Sequence, residues 1–209
     1  MTPPQITRIK TNSFGYHDKL KTVKCSTFSE LKCIESFAFN YSSIESLSLP
    51  ASVEQIASRC FSNTPNLRNV EISSENKFFK FLNDKCIVKE RKIGSGIFDV
   101  IIFAARDIES ISIPSHIKEI SNNSFNRCGR LEKIIFESNS SVESIESFAF
   151  YEIPGTEKLV LPASLKKTDY CSFSSTRSMK SVEFLGRSVR IGNCCFSLCL
   201  NLSPLTVAQ

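Results

Sequence analysis

A segment of the form apolar-x-x-Ile-x-x-x-x-Phe-x-x-x-x-x-Leu-x-x-apolar-x-apolar recurs along the chain. The Ile-to-Phe step occurs as Ile9/Phe14, Ile34/Phe39, Ile56/Phe61, Ile120/Phe125, Ile145/Phe150 and Ile191/Phe196. Thr168/Phe173 keeps the spacing with Thr in the Ile slot. The Leu slot follows as Leu20, Leu67, Leu131, Met179 and Leu202, and is blurred after Phe39, where Ile44 comes one residue early, and after Phe150, where Thr156 stands. Each unit closes on an alternating apolar pair, such as Leu47/Leu49, Ile111/Ile113, Leu159/Leu161 or Val182/Phe184. Pro50, Pro114 and Pro162 end three of these closes.

Such a repeat constrains the fold because one unit holds too few apolar residues to bury. Units must stack and share a continuous core. Successive Ile positions lie 25, 22, 64, 25, 23 and 23 residues apart, mostly within the ~20–29-residue range of leucine-rich repeats. The period-two close predicts a short strand with its apolar residues inward. The small residues before Phe predict a tight helical turn. The expected fold is an α/β repeat solenoid of leucine-rich-repeat type: short parallel strands joined by short helical turns. We expect residues 1–209 to form a single solenoid with one elongated, β-rich, hairpin-containing unit at about 73–110, accounting for the 64-residue gap. In it, Phe78–Leu82, Cys86–Lys89 and Ile97–Phe103 read as strands, with turns at Asn83-Asp84 and Gly94-Ser95-Gly96.

Several function classes are disfavoured. The net charge of +5 is scattered, and the densest basic stretch, Lys89-Glu90-Arg91-Lys92, reads as a solvated turn; no nucleic-acid partner is expected. No apolar run reaches the ~18 residues of a membrane span, and the start lacks the apolar core of a signal peptide. Nine cysteines occur without a CxxC pair, and the two histidines, His17 and His116, lie far apart. Most of the cysteines are expected to be reduced, buried thiols, with no metal, cofactor or essential disulfide. Cys194, Cys195 and Cys199 flank Phe196 at repeat positions where other units carry Ser, Ala or Cys, which packing explains, so no enzyme is expected. Gly94-Ser95-Gly96 lacks the further glycine and lysine of a phosphate loop. Four Asn-x-Ser triplets, at Asn40, Asn122, Asn139 and Asn201, fit the N-glycosylation pattern.

The strings Leu47-Ser48-Leu49-Pro50 through Phe61 and Ile111-Ser112-Ile113-Pro114 through Phe125-Asn126-Arg127-Cys128 resemble the BspA-like leucine-rich repeat. Ser36-Phe37-Ala38-Phe39 and Ser147-Phe148-Ala149-Phe150 carry its Ala-Phe pair, and Asn76 to Pro114 resembles its longer units. Among the copies of the repeat, glycine after the motif Ile survives only in Ile191-Gly192. The resemblance implies a parallel-stranded solenoid, with surface or secreted adhesion proteins among its members, and carries over no catalytic residue. The expected function is a non-catalytic protein-interaction module that shows its strand face to a protein or cell-surface macromolecule. The alternative is an intracellular scaffold, or the repeat part of a larger protein whose active domain lies elsewhere. Location stays open between cell surface and cytoplasm.

The candidate partner-binding face follows from the strand alternation. Residues before and between the inward positions point outward, and stacking the strands lines them up as a continuous ladder. Most rungs are small and polar. Ile135 and Val160 are adjacent apolar exceptions, flanked by Lys133 and Lys158. An apolar centre with a charged rim is a common build for a protein-binding patch. Leu200, Leu202, Leu205 and Val207 follow the last motif with no polar capping unit, so self-association through that end is also expected.

Overall fold

The computed structural model of the chain describes residues 5–26 and 28–207. Among them are eighteen short strands and no helix. Each regular coil supplies two strands. The apolar close gives a strand of three or four residues in most coils, such as Ser110–Ile113, Lys133–Phe136, Lys158–Leu161 and Ser181–Phe184. The Ile slot gives a second strand of two residues, such as Glu119–Ile120, Ser144–Ile145 and Lys167–Thr168. Equivalent strands pair in parallel with matched register: Ile120 lies beside Ile145, Ile145 beside Thr168, and Thr168 beside Ile191. Burial of one β-branched residue on each rung before the last, where Ile191 is exposed, holds this narrow second sheet in register.

The elongated unit turns antiparallel. Phe79–Leu82 and Cys86–Lys89 form a hairpin whose turn residues Asn83 and Asp84 both have positive φ, as right-twisted hairpins require. Cys86–Lys89 then pairs antiparallel with Val100–Ala104, which joins Glu119–Ile120 in parallel. The result is one seven-stranded sheet. Asn76 starts this unit: it is buried, its amide nitrogen donates to the carbonyls of Pro50 and Val53, and its oxygen accepts from the N–H groups of Phe78 and Phe79.

The helical turns expected between the two strands are absent. The residues two before and two after each motif Phe have left-handed backbones, as at Phe37/Tyr41, Asn123/Arg127, Phe148/Glu152 and Cys171/Ser175. A right-handed helix needs φ near −63° throughout, so these positions break it. Left-handed geometry costs a non-glycine residue about 1–2 kcal/mol. Compensation comes from bonds between coils. The N–H groups of Asn123, Phe125 and Arg127 donate to the carbonyls of Ser147, Ala149 and Tyr151 on the next coil, at 3.2, 2.8 and 2.9 Å. The same row runs from Phe148, Phe150 and Glu152 to Tyr170, Ser172 and Ser174. These amides point forward along the stack. At the narrow sheet the sense is reversed: Glu146, Asp169 and Gly192 donate back to Ile120, Ile145 and Thr168.

The motif phenylalanines pack inside these turns in two stacks. Phe14, Phe39 and Phe61 lie 5.3 and 5.9 Å apart; Phe125, Phe150, Phe173 and Phe196 lie 4.7, 5.1 and 5.5 Å apart. The single column implied by the repeat is thus divided at the elongated unit, where Phe103 meets Phe61 edge-on at 5.2 Å. Phe196 is only half-buried. At this break Arg106 is buried, donating to the carbonyls of Ser124 and Phe61 at 2.9 and 3.1 Å. Thr168, the odd residue of the Ile row, is buried and accepts from the Cys195 thiol at 3.2 Å.

Candidate functional site

Lys133 and Ile135 lie on the strand Lys133–Phe136, Lys158 and Val160 on Lys158–Leu161. The inward residues Ile134, Leu159 and Leu161 are buried and Phe136 is half-buried, which fixes Lys133, Ile135, Lys158 and Val160 on the outer surface. Ile135 is 44% exposed. Lys158 reaches across to Glu183 at 3.0 Å, and its strand registers with Ser181–Phe184 so that Val160 lies beside Glu183. Among the described residues Lys133 makes no ion pair.

The outer ladder is not continuous here. The wide strands form three separate sheets, and Lys133–Phe136 and Lys158–Leu161 are neighbours that do not pair. The intervening turn explains the split. Pro154 has no N–H to offer. Gly155 is left-handed, with φ of 78°, and donates its N–H to Leu131 at 2.9 Å. The following strand therefore begins outside hydrogen-bonding range of its neighbour. Gly155 is also required sterically, because a Cβ there would lie 2.0 Å from Thr176 Cγ2.

Splitting the sheet opens a shallow cleft of about 570 Å³. All four candidate residues line it, together with Phe136, Pro162 and Leu185. Sequence reasoning missed Leu185, which is 46% exposed just beyond the strand Ser181–Phe184; an apolar residue outside the alternation was its signal. The cleft sets this apolar surface beside the Glu137 carboxylate and the polar side chains of Asn139 and Ser164, with two ammonium groups at its edge, one of them engaged by Glu183. It offers area and charge for contact.

Burial pushes the Cys60, Cys86 and Cys128 thiols up, against the pull of the nearby Arg106 guanidinium, so they stay protonated and poorly nucleophilic. All nine cysteines are free, and seven are buried. Among the described residues no group of three or more His, Cys, Asp or Glu side chains is arranged to hold a metal ion. Among the described residues no helix is long and apolar enough to cross a membrane.

A family model described as "BspA type Leucine rich repeat region" matches residues 1–101 and 97–209, with six copies. Among curated proteins, none matches the sequence. Three solved structures are similar. The pneumococcal vaccine antigen PcpA superposes with a TM-score of 0.82 at 27% identity, over 97% of this chain and 48% of that one. A leucine-rich repeat protein from Eubacterium ventriosum gives 0.76 at 19% identity, over 93% and 50%. A leucine-rich cell surface protein from Faecalibacterium prausnitzii gives 0.73 at 19%, over 99% and 59%. This chain thus spans about half the length of the proteins it resembles.

Proposed function

The chain belongs to the BspA-type leucine-rich-repeat proteins, and from that premise we propose that it is a non-catalytic interaction module. Its partner is a protein or other cell-surface macromolecule, met at the split in the outer strand face. The observation that carries this reading is the cleft where Ile135, Val160 and Leu185 show apolar surface beside Lys133 and Lys158. Exposed apolar surface rimmed by charge is how recognition patches are commonly built. The residues 1–209 act as one solenoid in this reading. A role at the cell surface is supported by the likeness to a pneumococcal antigen.

The test is a pull-down with the whole chain as bait, followed by the Ile135→Ser/Val160→Ser double variant. A folded variant that loses the captured partner supports the strand face; unaltered capture removes it. Pairing of two copies through the exposed strands Arg190–Ile191 and Leu205–Val207 belongs to the same proposal, and sedimentation at rising concentration reads it.

A second reading is favoured by the coverage. Because the chain matches about half of each similar structure, it also fits the repeat part of a larger protein whose activity lies in another segment. Surface labelling of intact cells separates the surface reading from an intracellular scaffold.

A further inference from the structure

One coil lacks the outer turn that all its regular neighbours have. Fourteen residues separate Ile120 from Ile134 and Ile145 from Leu159, but only ten separate Ile101 from Ile111. The coil built on Val100–Ala104 closes directly through Ala105, Arg106 and Asp107. Among the described residues, no non-glycine residue between Asp84 and Asn123 has positive φ. The turn of the Phe61 coil therefore faces that of the Phe125 coil across the space a missing turn would fill. On the inner side Arg106 bridges the two, through the carbonyls of Phe61 and Ser124. On the outer side the Asn63 N–H donates to Asn126 Oδ1 at 3.0 Å, and a cleft of about 220 Å³ remains.

Rings and amides line that cleft. Tyr41 and Phe148 contribute aromatic surface, and the Arg59 and Arg127 guanidiniums lie 5.9 Å from the Phe37 and Tyr41 ring centres. Ser62 is 2% exposed and Asn123 is 8% exposed, and both line the cleft. Neither Ser62 Oγ nor Asn123 Oδ1 has a hydrogen-bond partner among the described residues. Buried polar groups are nearly always paired, so two unpaired ones on a single cleft mark where an outside polar group completes the bonding. The charge is one-sided. Glu152 lies 2.9 Å from Arg127, whereas Arg59 makes no ion pair among the described residues.

The lining calls for a ligand with a broad face for the rings, a hydroxyl to donate to Asn123 Oδ1, and an anionic group for Arg59. We propose that this cleft binds an acidic sugar, a pyranose bearing a carboxylate. Its carboxylate meets the Arg59 guanidinium in a charge-assisted hydrogen bond, one hydroxyl bridges Ser62 and Asn123, and the ring rests against Tyr41 and Phe148. The site shares no residue with the strand-face cleft and stands whether or not that face binds a protein.

Saturation-transfer NMR and titration calorimetry on the whole chain test it, with N-acetylneuraminic acid and glucuronic acid against galactose and glucose as neutral probes. The acidic sugars are expected to bind and the neutral ones to bind about tenfold more weakly or not at all, the scale of one hydrogen bond to a charged group. Arg59→Asn should weaken acidic-sugar binding by about the same factor, and Asn123→Gly, which removes the acceptor of the bridging hydroxyl, should weaken acidic and neutral sugars alike. Both positions are left-handed, with φ of 66° and 59°, which Asn and Gly tolerate, so both variants should melt with the parent. Absence of acidic-sugar binding by the folded parent chain overturns the proposal. So does equal binding of the neutral sugars, or binding that survives both substitutions.

Discussion

Arg106 Nη2 donates to the carbonyl of Phe61 at 3.1 Å, joining residues forty-five positions apart in the chain. The same side chain lies over the Phe103 ring at 4.7 Å and donates to the Ser124 carbonyl. It thus supplies, with one guanidinium, a link that regular coils make with main-chain amides. Replacing it by Leu removes a charged donor from each carbonyl, at about 1.5–3 kcal/mol each, although Phe61 keeps the bond from the Thr64 hydroxyl and Ser124 the bond from the Ala104 N–H. Arg106→Leu should lower stability by about 3 kcal/mol in urea denaturation, and Arg106→Lys should recover only part, because one ammonium lacks the planar fork that reaches both carbonyls. A Leu variant as stable as the parent would show that the coils close without this bridge.

The phenylalanine stacks set a gradient along the molecule. Phe150, fully buried between Phe125 and Phe173, should cost about 3–5 kcal/mol on truncation to Ala. Phe14 and Phe196, half-buried at the outer ends of their stacks, should cost distinctly less. Equal losses at all three positions would contradict the observed burial.

Gly155 joins two constraints, a φ of 78° and a Cβ that would meet Thr176 Cγ2 at 2.0 Å. Gly155→Ala is expected to destabilise by more than about 1 kcal/mol. Adding Thr176→Ser removes the clashing methyl and should restore part of the loss while leaving the backbone strain. Thermal melts of the single and double variants read the two contributions apart.

Glu119 has its carboxyl pushed above the ordinary value of 4.5, first by burial and then by the neighbouring Glu146 charge, with Arg91, Lys89 and Lys167 pulling the other way. A folded-state value above the unfolded one means that the folded chain holds the proton more tightly. Its contribution therefore falls as pH rises from the ordinary value through the raised one. Glu119→Gln should raise the melting temperature near neutral pH and leave it unchanged below the ordinary carboxyl range. A variant that is less stable at neutral pH would reverse the sign.

Because all nine cysteines are free, reduction should leave the melting temperature nearly unchanged. A loss of about 2–5 kcal/mol on reduction would indicate native bridges. Thiol reagents should modify exposed Cys194 first, half-buried Cys25 next, and buried Cys60, Cys86 and Cys128 only after unfolding.

Much of the architecture was legible because the repeat reports burial directly. The alternation Leu159-Val160-Leu161 places Val160 outward whatever joins the strands, and the Ile slot marks a buried row. The joining turn was misread. Small residues such as Ala149 suit a helix as well as a close-packed turn, and only backbone angles distinguish them; Phe148 at φ of 57° settles it. No propensity marks Phe as left-handed, since the compensating bond lies on Tyr170 of the next coil. The candidate face was located by Lys133, Ile135, Lys158 and Val160, but its depth was not. That depth comes from Pro154 and Gly155, whose effect on strand pairing depends on where the Gly155 amide finds an acceptor.

The opposed amide rows within each coil give the stack a keyed cross-section. At the turn edge the amides of Phe125 and Phe150 face forward, while at the narrow sheet those of Glu146 and Asp169 face back. A plane drawn between two regular coils thus meets donors on one side at one edge and on the other side at the opposite edge, like a plug with one pin and one socket. Another whole coil fits such a plane in one orientation, and a reversed coil sets donor against donor. Length can therefore change by whole units of about 23 residues, as between Thr168 and Ile191, without redesign of the joint. A fraction of a unit puts every later pin out of step with its socket.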